Sequence, residues 1–225
     1  MPPLFVALTV PLLLLAFLLQ DGHSRLVLWC FCWGVAAGLF ANLIESPLLG
    51  ATAMNLEAFS VQIAPPLEEL LKISLLAALL VFGVVAARDE RLVLYAVSSG
   101  IGFSVIENFF HLSSSMPDTE LGATVFVLVR SLSTTIMHGL ATGFLGLCIH
   151  LLYGGSLRGL RFRPVLVFHA YALSTMAHAL FNLYVQAAAF GPTMAVVVSI
   201  AIYAFTWLVI TESGLFGGTR AGATE

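Results

Sequence analysis

Charged residues are scarce in this sequence, where Asp, Glu, Lys and Arg together make up 9% of the 225 residues. A soluble domain carries about 25%, and a mean hydropathy of +1.01 leaves too much apolar surface to face water. The chain is therefore expected to be an all-α, polytopic membrane protein that contacts the lipid bilayer. Basic residues are too few to form a stripe, and aromatic residues do not alternate with arginine, which excludes nucleic acid as a partner.

Cysteine is also rare. Cys30, Cys32 and Cys148 all lie inside apolar stretches, where cysteine behaves as a small buried hydrophobe. Cys30 and Cys32 are two positions apart on a predicted helix and point to different faces, which argues against a pair of metal ligands. The three cysteines are therefore expected to be core residues.

Long apolar runs are abundant, and they cover residues 3–19, 26–44, 63–87, 92–112, 121–153, 165–189 and 194–210. At about 20 residues per crossing they predict seven transmembrane helices. These helices form one membrane domain, residues 1–213, followed by a short disordered tail, residues 214–225. Arginines occupy the first, third and fifth connecting segments and the tail, whereas the second, fourth and sixth segments carry no Lys or Arg. Positive residues favour the cytoplasmic side, so the N-terminus is predicted outside and the C-terminus inside.

Several ionisable side chains fall within these runs, and each costs a few kcal/mol in lipid, so function is the default hypothesis for them. The segment "PPLEELLK" carries Glu68, Glu69 and Lys72, the only lysine in the chain. A structural explanation is also available, because glutamates in a first turn complement the helix dipole, and Glu68 can pair with Lys72 one turn later. This segment alone fits both explanations.

Polar residues at helical spacing occur in three further runs. Each set shares one helix face: Phe103, Glu107 and His111, with Asn108 beside them; Arg130, Thr134 and His138; His178 and Asn182. Glu107 lies mid-helix, where the helix-dipole explanation does not apply. His138 taken alone fits an interhelical hydrogen bond equally well. Small residues beside these positions predict close helix packing: Gly100, Gly102, Gly139 and Gly143.

These polar residues share a depth in the membrane. Counting inward from the predicted cytoplasmic ends at 1.5 Å per residue places Glu107, His138 and His178 at ~20–23 Å. The same count places Glu69 at ~27 Å and Glu68 slightly shallower. Scattered structural residues on four helices would have no reason to share a level, so the sequence predicts one polar site in the outer leaflet.

Glutamates and histidines in one site can hydrolyse a peptide bond. A glutamate removes a proton from water while histidine or asparagine donors stabilise the oxyanion. The same groups can hold zinc with one position left open for water. HExxH, GxSG and GxGD are all absent from the sequence, which excludes three other types of intramembrane protease. A proton-coupled transporter remains an alternative, because membrane carboxylates and histidines also form proton relays.

Four motifs in order resemble those of the PrsW family of intramembrane proteases, a relative of the type II CAAX prenyl proteases. They are Glu68-Glu69-x-x-Lys72, Phe103-x-x-x-Glu107-Asn108, His138 and His178-x-x-x-Asn182, within residues 65–182. Glu107 stands where the prenyl proteases carry histidine, as it does in PrsW proteins. The resemblance implies a protease of a prokaryotic cytoplasmic membrane. Its implied substrate is a membrane-anchored anti-sigma factor, which it cuts first, on the extracytoplasmic side.

The resemblance also implies roles for the matched residues: Glu68 or Glu69 as general base, Glu107 as a second water-orienting carboxylate, His138 as a ligand of water or metal, His178 and Asn182 as oxyanion donors, and Lys72 as a support for the glutamate pair. Phe103, Asn108 and Arg130 are expected to support them. A metalloprotease assignment in the family favours zinc, held by His138, His178, Glu69 and Glu107. Against zinc, no two of these ligands share a helix face at metal spacing.

Two classes of function stay open at this point. One is an intramembrane endopeptidase, and the other is a non-catalytic scaffold or transporter that uses the same buried polar residues. The scaffold subunit of gamma-secretase resembles this group in topology but has lost the glutamate pair. Retention of the full set favours the enzyme: Glu68, Glu69, Glu107, His138 and His178.

Overall fold

A computed structural model gives the structure of residues 21–114, 120–155 and 157–186. Over these ranges the protein is entirely helical, which confirms the all-α prediction there. The helices are α1 (Gly22–Ala51), α2 (Leu56–Gln62), α3 (Ala64–Val81), α4 (Leu92–Ser114), α5 (Glu120–Tyr153) and α6 (Arg163–Gln186). The predicted spans at 3–19 and 194–210 and the predicted tail at 214–225 lie outside the described residues.

Four of the described helices are long and apolar enough to cross a membrane: Gly22–Ala51, Leu92–His111, Ser133–Tyr153 and Arg163–Gln186. The run predicted at 63–87 forms the shorter α3, an 18-residue helix that carries two glutamates and a lysine. It ends at Val81, and the chain then passes through Gly83 with a φ of 70°, a conformation that glycine adopts without strain. The total of seven spans and the orientation of the termini remain predictions.

The segment between the second and third predicted spans is mostly helical, although the sequence predicted a loop there. α1 continues past residue 44 through Glu45 and Pro47, and α2 follows after a short break. Asn55 caps α2, its side chain accepting a hydrogen bond from the backbone N–H of Ala58 at 2.8 Å. The prediction was wrong because hydropathy falls at Glu45, whereas backbone hydrogen bonds continue regardless of side-chain polarity.

Glycine lets α4 approach its neighbours at backbone distance. A Cβ placed on Gly102 would lie 2.1 Å from the carbonyl oxygen of Phe31 on α1. One placed on Gly100 would lie 2.2 Å from the carbonyl oxygen of His138 on α5. No side chain fits in such gaps, so the close packing predicted at these two glycines is confirmed. The contact at Gly100 brings His138 against the helix that carries Glu107.

The main apolar core joins five helices, α1, α3, α4, α5 and α6. Its buried members are Cys30, Ile73, Leu76, Val85, Leu92, Tyr95, Ala96, Leu145 and Ala170. Cys30 and Cys32 are buried and unpaired, as expected of core cysteines, and Cys148 is half-buried. This core fixes the relative positions of the helices that carry the polar groups.

Candidate active site

Glu69 on α3 is fully enclosed, and both of its carboxylate oxygens are bonded. Oε1 accepts a hydrogen bond from Lys72 Nζ at 2.5 Å and another from His178 Nδ1 at 3.0 Å. Oε2 accepts from the hydroxyl of Thr142 at 3.1 Å and lies 3.3 Å from that of Ser174, which also donates to the carbonyl of Ala141 at 2.8 Å. These bonds join α3 to α5 and α6, so Glu69 stabilises the arrangement of three helices.

Lys72 is as deeply buried as Glu69, with no exposed surface. It pairs with Glu69, three residues earlier, rather than with Glu68 as the four-residue spacing had allowed. Its Nζ also donates to His138 Nδ1 at 2.8 Å and lies 4.5 Å from the centre of the Phe103 ring. Because Nδ1 of His138 accepts this bond, a neutral His138 carries its proton on Nε2.

Glu107 on α4 accepts a hydrogen bond at Oε2 from the Nε2–H group of His138. Its other oxygen accepts a bond from Arg130 Nη2 at 3.3 Å and lies 3.6 Å from His111 Nε2. Asn108, the next residue, accepts a bond from the Thr134 hydroxyl at 2.7 Å. A continuous polar network therefore runs from Glu69 through Lys72 and His138 to Glu107 and Arg130, and it brings the predicted residues of α3, α4 and α5 together.

A cavity of about 430 Å³ opens beside this network. Its wall includes Glu68, Phe103, Glu107, Arg130 and Asn182. Behind the wall, with no exposed surface, lie four residues: Glu69, Lys72, His138 and His178. Of the two adjacent glutamates, Glu68 thus faces the cavity and Glu69 the interior.

Two buried polar atoms, one on a cavity-lining residue and one behind it, have no hydrogen-bond partner among the described residues. They are Glu68 Oε2 and His178 Nε2, and they lie 3.5 Å apart. Because Nδ1 of His178 donates to Glu69, a neutral His178 has its lone pair on Nε2, directed toward Glu68. Unpartnered buried atoms are rare in proteins and usually mark the place of a water or an ion.

These atoms fit a metal ion. Glu68, His138 and His178 each offer a ligand atom, and the three atoms lie within 4.8 Å of one another. His178 Nε2 is free to bind an ion, whereas His138 would first have to give up its bond to Lys72 or to Glu107. Histidine nitrogens with a carboxylate oxygen are the donors of catalytic zinc sites. Behind His178, Glu69 accepts the bond from Nδ1, as outer carboxylates do for metal-binding histidines. The geometry thus brings Glu68 to the two histidines, whereas the sequence pointed to Glu69 and Glu107 as the carboxylate ligands.

Asn182, predicted to act with His178, contacts α2 in this structure. Its Nδ2 donates to the carbonyl of Ser60 at 2.9 Å. One helical turn further along α6, Gln186 Nε2 donates to the Ser60 hydroxyl at 2.6 Å. α2 is therefore fastened to α6 at the edge of the cavity. The role of Asn182 as an oxyanion donor stays a prediction.

Three residues of the site were missed from the sequence: Glu45, Thr142 and Ser174. For two of them a signal was present. Thr142 lies four residues after His138 and Ser174 four residues before His178, so each shares a helix face with a predicted histidine. Glu45 gave no such signal, because it was assigned to a loop.

Residues 22–210 match the family described as PrsW family intramembrane metalloprotease. No curated protein and no solved structure matches the chain. The family match spans most of the chain and covers every residue of the polar network. The protein is therefore a multi-pass membrane enzyme that belongs to the PrsW family of intramembrane proteases.

Proposed function

We propose that the protein is an endopeptidase that cleaves a membrane-anchored protein, such as an anti-sigma factor, near the extracytoplasmic face of a prokaryotic cytoplasmic membrane. The observation that carries this proposal is a pair of buried atoms without hydrogen-bond partners among the described residues, Glu68 Oε2 on the cavity wall and His178 Nε2 behind it. A reactive water needs an acceptor that the protein has not already satisfied, and Glu68 offers one.

Glu68 is the residue that meets the water. In a metal-free site, Glu68 takes a proton from the water while the water oxygen attacks the peptide carbonyl. The proton then passes to the leaving nitrogen as the C–N bond breaks. During the reaction, the hydrogen bond from His178 Nδ1 to Glu69 holds the His178 ring in place. For His178 to donate to the oxyanion as well, it must carry a second proton on Nε2, because Nδ1 is already turned toward Glu69.

A metal-dependent site fits the same residues and the family description. Glu68, His138 and His178 would hold the ion, and zinc bound there would polarise the carbonyl and acidify a water. Glu107 would then be the cavity-facing carboxylate left to take the proton, with Arg130 holding its other oxygen. The lone pair on His178 Nε2 favours this form over the oxyanion pair.

Cleavage of single-pass substrates by the purified protein in detergent tests the function. We expect the unaltered protein to cut at least one candidate in its membrane segment near the outer end. Glu68→Gln should lower the rate by about 10²–10⁴-fold, because it removes the base or a metal ligand. Glu57→Gln, on the same cavity wall, is the matched control and should cut normally. Normal cleavage by Glu68→Gln would contradict the proposed site.

Metal removal separates the two forms of the mechanism. If zinc is required, a chelator should abolish cleavage and added zinc should restore it. Full activity of a metal-free preparation, confirmed by elemental analysis, would leave Glu68 as the general base.

The membrane orientation is tested by labelling in intact cells. A cysteine introduced at Ser114 should react with an impermeant thiol reagent, because the segment after α4 is predicted to lie outside. A cysteine at Gly155 should stay unlabelled until the cells are opened. Labelling at Gly155 alone would place the site in the inner leaflet.

A further inference from the structure

Arg130 is a cation on the cavity wall whose guanidinium is only partly bonded. Its Nη2 donates to Glu107 Oε1 at 3.3 Å, which is longer than most N–H···O hydrogen bonds. Its Nε is buried and has no hydrogen-bond partner among the described residues. A guanidinium stays protonated in proteins and has five N–H donors, so Arg130 keeps donor capacity that Glu107 does not use.

Arg130 lies one side chain away from the reacting groups. Glu107 connects them, because one of its oxygens is bonded to Arg130 and the other to His138 Nε2. His138 in turn offers a ligand atom within 4.8 Å of those of Glu68 and His178. An extended peptide advances about 3.3–3.6 Å per residue. A substrate carbonyl within about three residues of the bond cut at Glu68 is therefore in reach of Arg130.

The other charges of the cavity decide which acceptor suits Arg130. Among the described residues of the wall it is the only Lys or Arg. The same wall carries four glutamates: Glu45, Glu57, Glu68 and Glu107. Ionised carboxylates in this number repel an acidic side chain of a substrate, whereas a neutral carbonyl oxygen meets no such repulsion. The cavity thus favours a peptide carbonyl as the partner of Arg130.

A transmembrane substrate provides such carbonyls only when its helix unwinds, because each carbonyl in a helix is already bonded to a backbone N–H. Lipid offers no partner to the carbonyls that unwinding frees. We propose that Arg130 is a substrate-binding residue that donates to one of these freed backbone carbonyls and so holds the unwound segment beside Glu68. This inference rests on the proposed function, and it applies to the metal-dependent and the metal-free form alike.

Synthetic substrates that differ by one atom test this role. Each is a membrane-segment peptide that the unaltered protein cleaves, with one carbonyl oxygen near the cut bond replaced by sulfur, a weak hydrogen-bond acceptor. Binding is measured in detergent with the Glu68→Gln protein, which holds the peptide without cutting it, and with the Glu68→Gln/Arg130→Gln protein. At one position, sulfur should weaken binding to the first protein by ~10-fold and leave binding to the second unchanged, because the bond is already lost there.

Two further variants separate this bond from a structural role. Glu68→Gln/Glu57→Gln is the matched control on the same wall and should show the full sulfur effect. Arg130→Lys keeps a cation beside Glu107 but not the planar fork of donors, so it should reduce the sulfur effect even if the glutamine variant is unstable.

The outcomes distinguish this inference from the proposed function. An equal sulfur effect with and without Arg130 at every position would overturn the inference, and cleavage by the unaltered protein would still support the endopeptidase. If the unaltered protein cuts no candidate substrate, the proposed function fails and this inference fails with it.

Discussion

The enclosed side of the site, around Glu69, differs from its cavity side, around Glu68, in how completely the polar atoms are bonded. Both oxygens of Glu69 accept hydrogen bonds, and the donors have no or almost no exposed surface. Glu68 is adjacent in sequence, yet its Oε2 has no hydrogen-bond partner among the described residues. Saturated bonds stabilise a buried charge but leave no atom for a reactant. The difference favours the proposed division of roles, in which Glu69 and its partners hold the site and Glu68 meets the substrate.

Substitutions of Glu68 and Glu69 should show the largest difference in stability between the two sides of the site. Glu69→Gln leaves Lys72 as a buried cation without its anion, so we expect a loss of about 3–5 kcal/mol in the free energy of unfolding. Glu68→Gln removes a charge that has no bonded cation and should leave stability unchanged or higher. Denaturant titration in detergent measures both. Equal losses from the two variants would show that the two sides are energetically alike.

Asn182 is predicted to donate to the oxyanion, but in the structure it donates to the carbonyl of Ser60 on α2. Separating these two roles is the next test of the cavity side. If its amide serves the oxyanion, Asn182→Ala should lower the turnover rate by about 10²–10³-fold. Gln186→Leu removes the neighbouring bond to Ser60 and is the matched comparison, because it weakens the attachment of α2 to α6 but leaves the Asn182 amide in place. Similar rates for both variants would limit Asn182 to fastening α2.

A smaller effect is expected from one hydroxyl on the enclosed side. Thr142→Val removes a donor to Glu69 Oε2 and should cost about 1.5–3 kcal/mol of stability, as for hydrogen bonds to charged groups. Thr135→Val on the same helix removes a bond between neutral hydroxyls and should cost about 0.5–1.5 kcal/mol. If Thr135→Val cost as much as Thr142→Val, the charge of Glu69 would not matter to its surroundings.

Sequence spacing predicted much of the site because helical periodicity fixes which residues share a face. His138 and His178 converge on the glutamates of α3, as their common depth indicated. Spacing did not separate Glu68 from Glu69, since that depends on how α5 and α6 pack against α3. Spacing also did not assign Glu45 to a helix. An apolar run that stops at a glutamate has the same sequence pattern whether the helix ends there or, as in α1, continues.

The tight contact between α4 and α5 limits how a substrate can approach. A Cβ on Gly143 would lie 2.5 Å from Val97 Cγ2, so this seam has no room for a third helix. At the edge of the cavity, by contrast, α2 is fastened to α6 by the bonds from Asn182 and Gln186 to Ser60. We propose that a transmembrane substrate arriving through the lipid enters beside α2 and displaces that short helix as it docks.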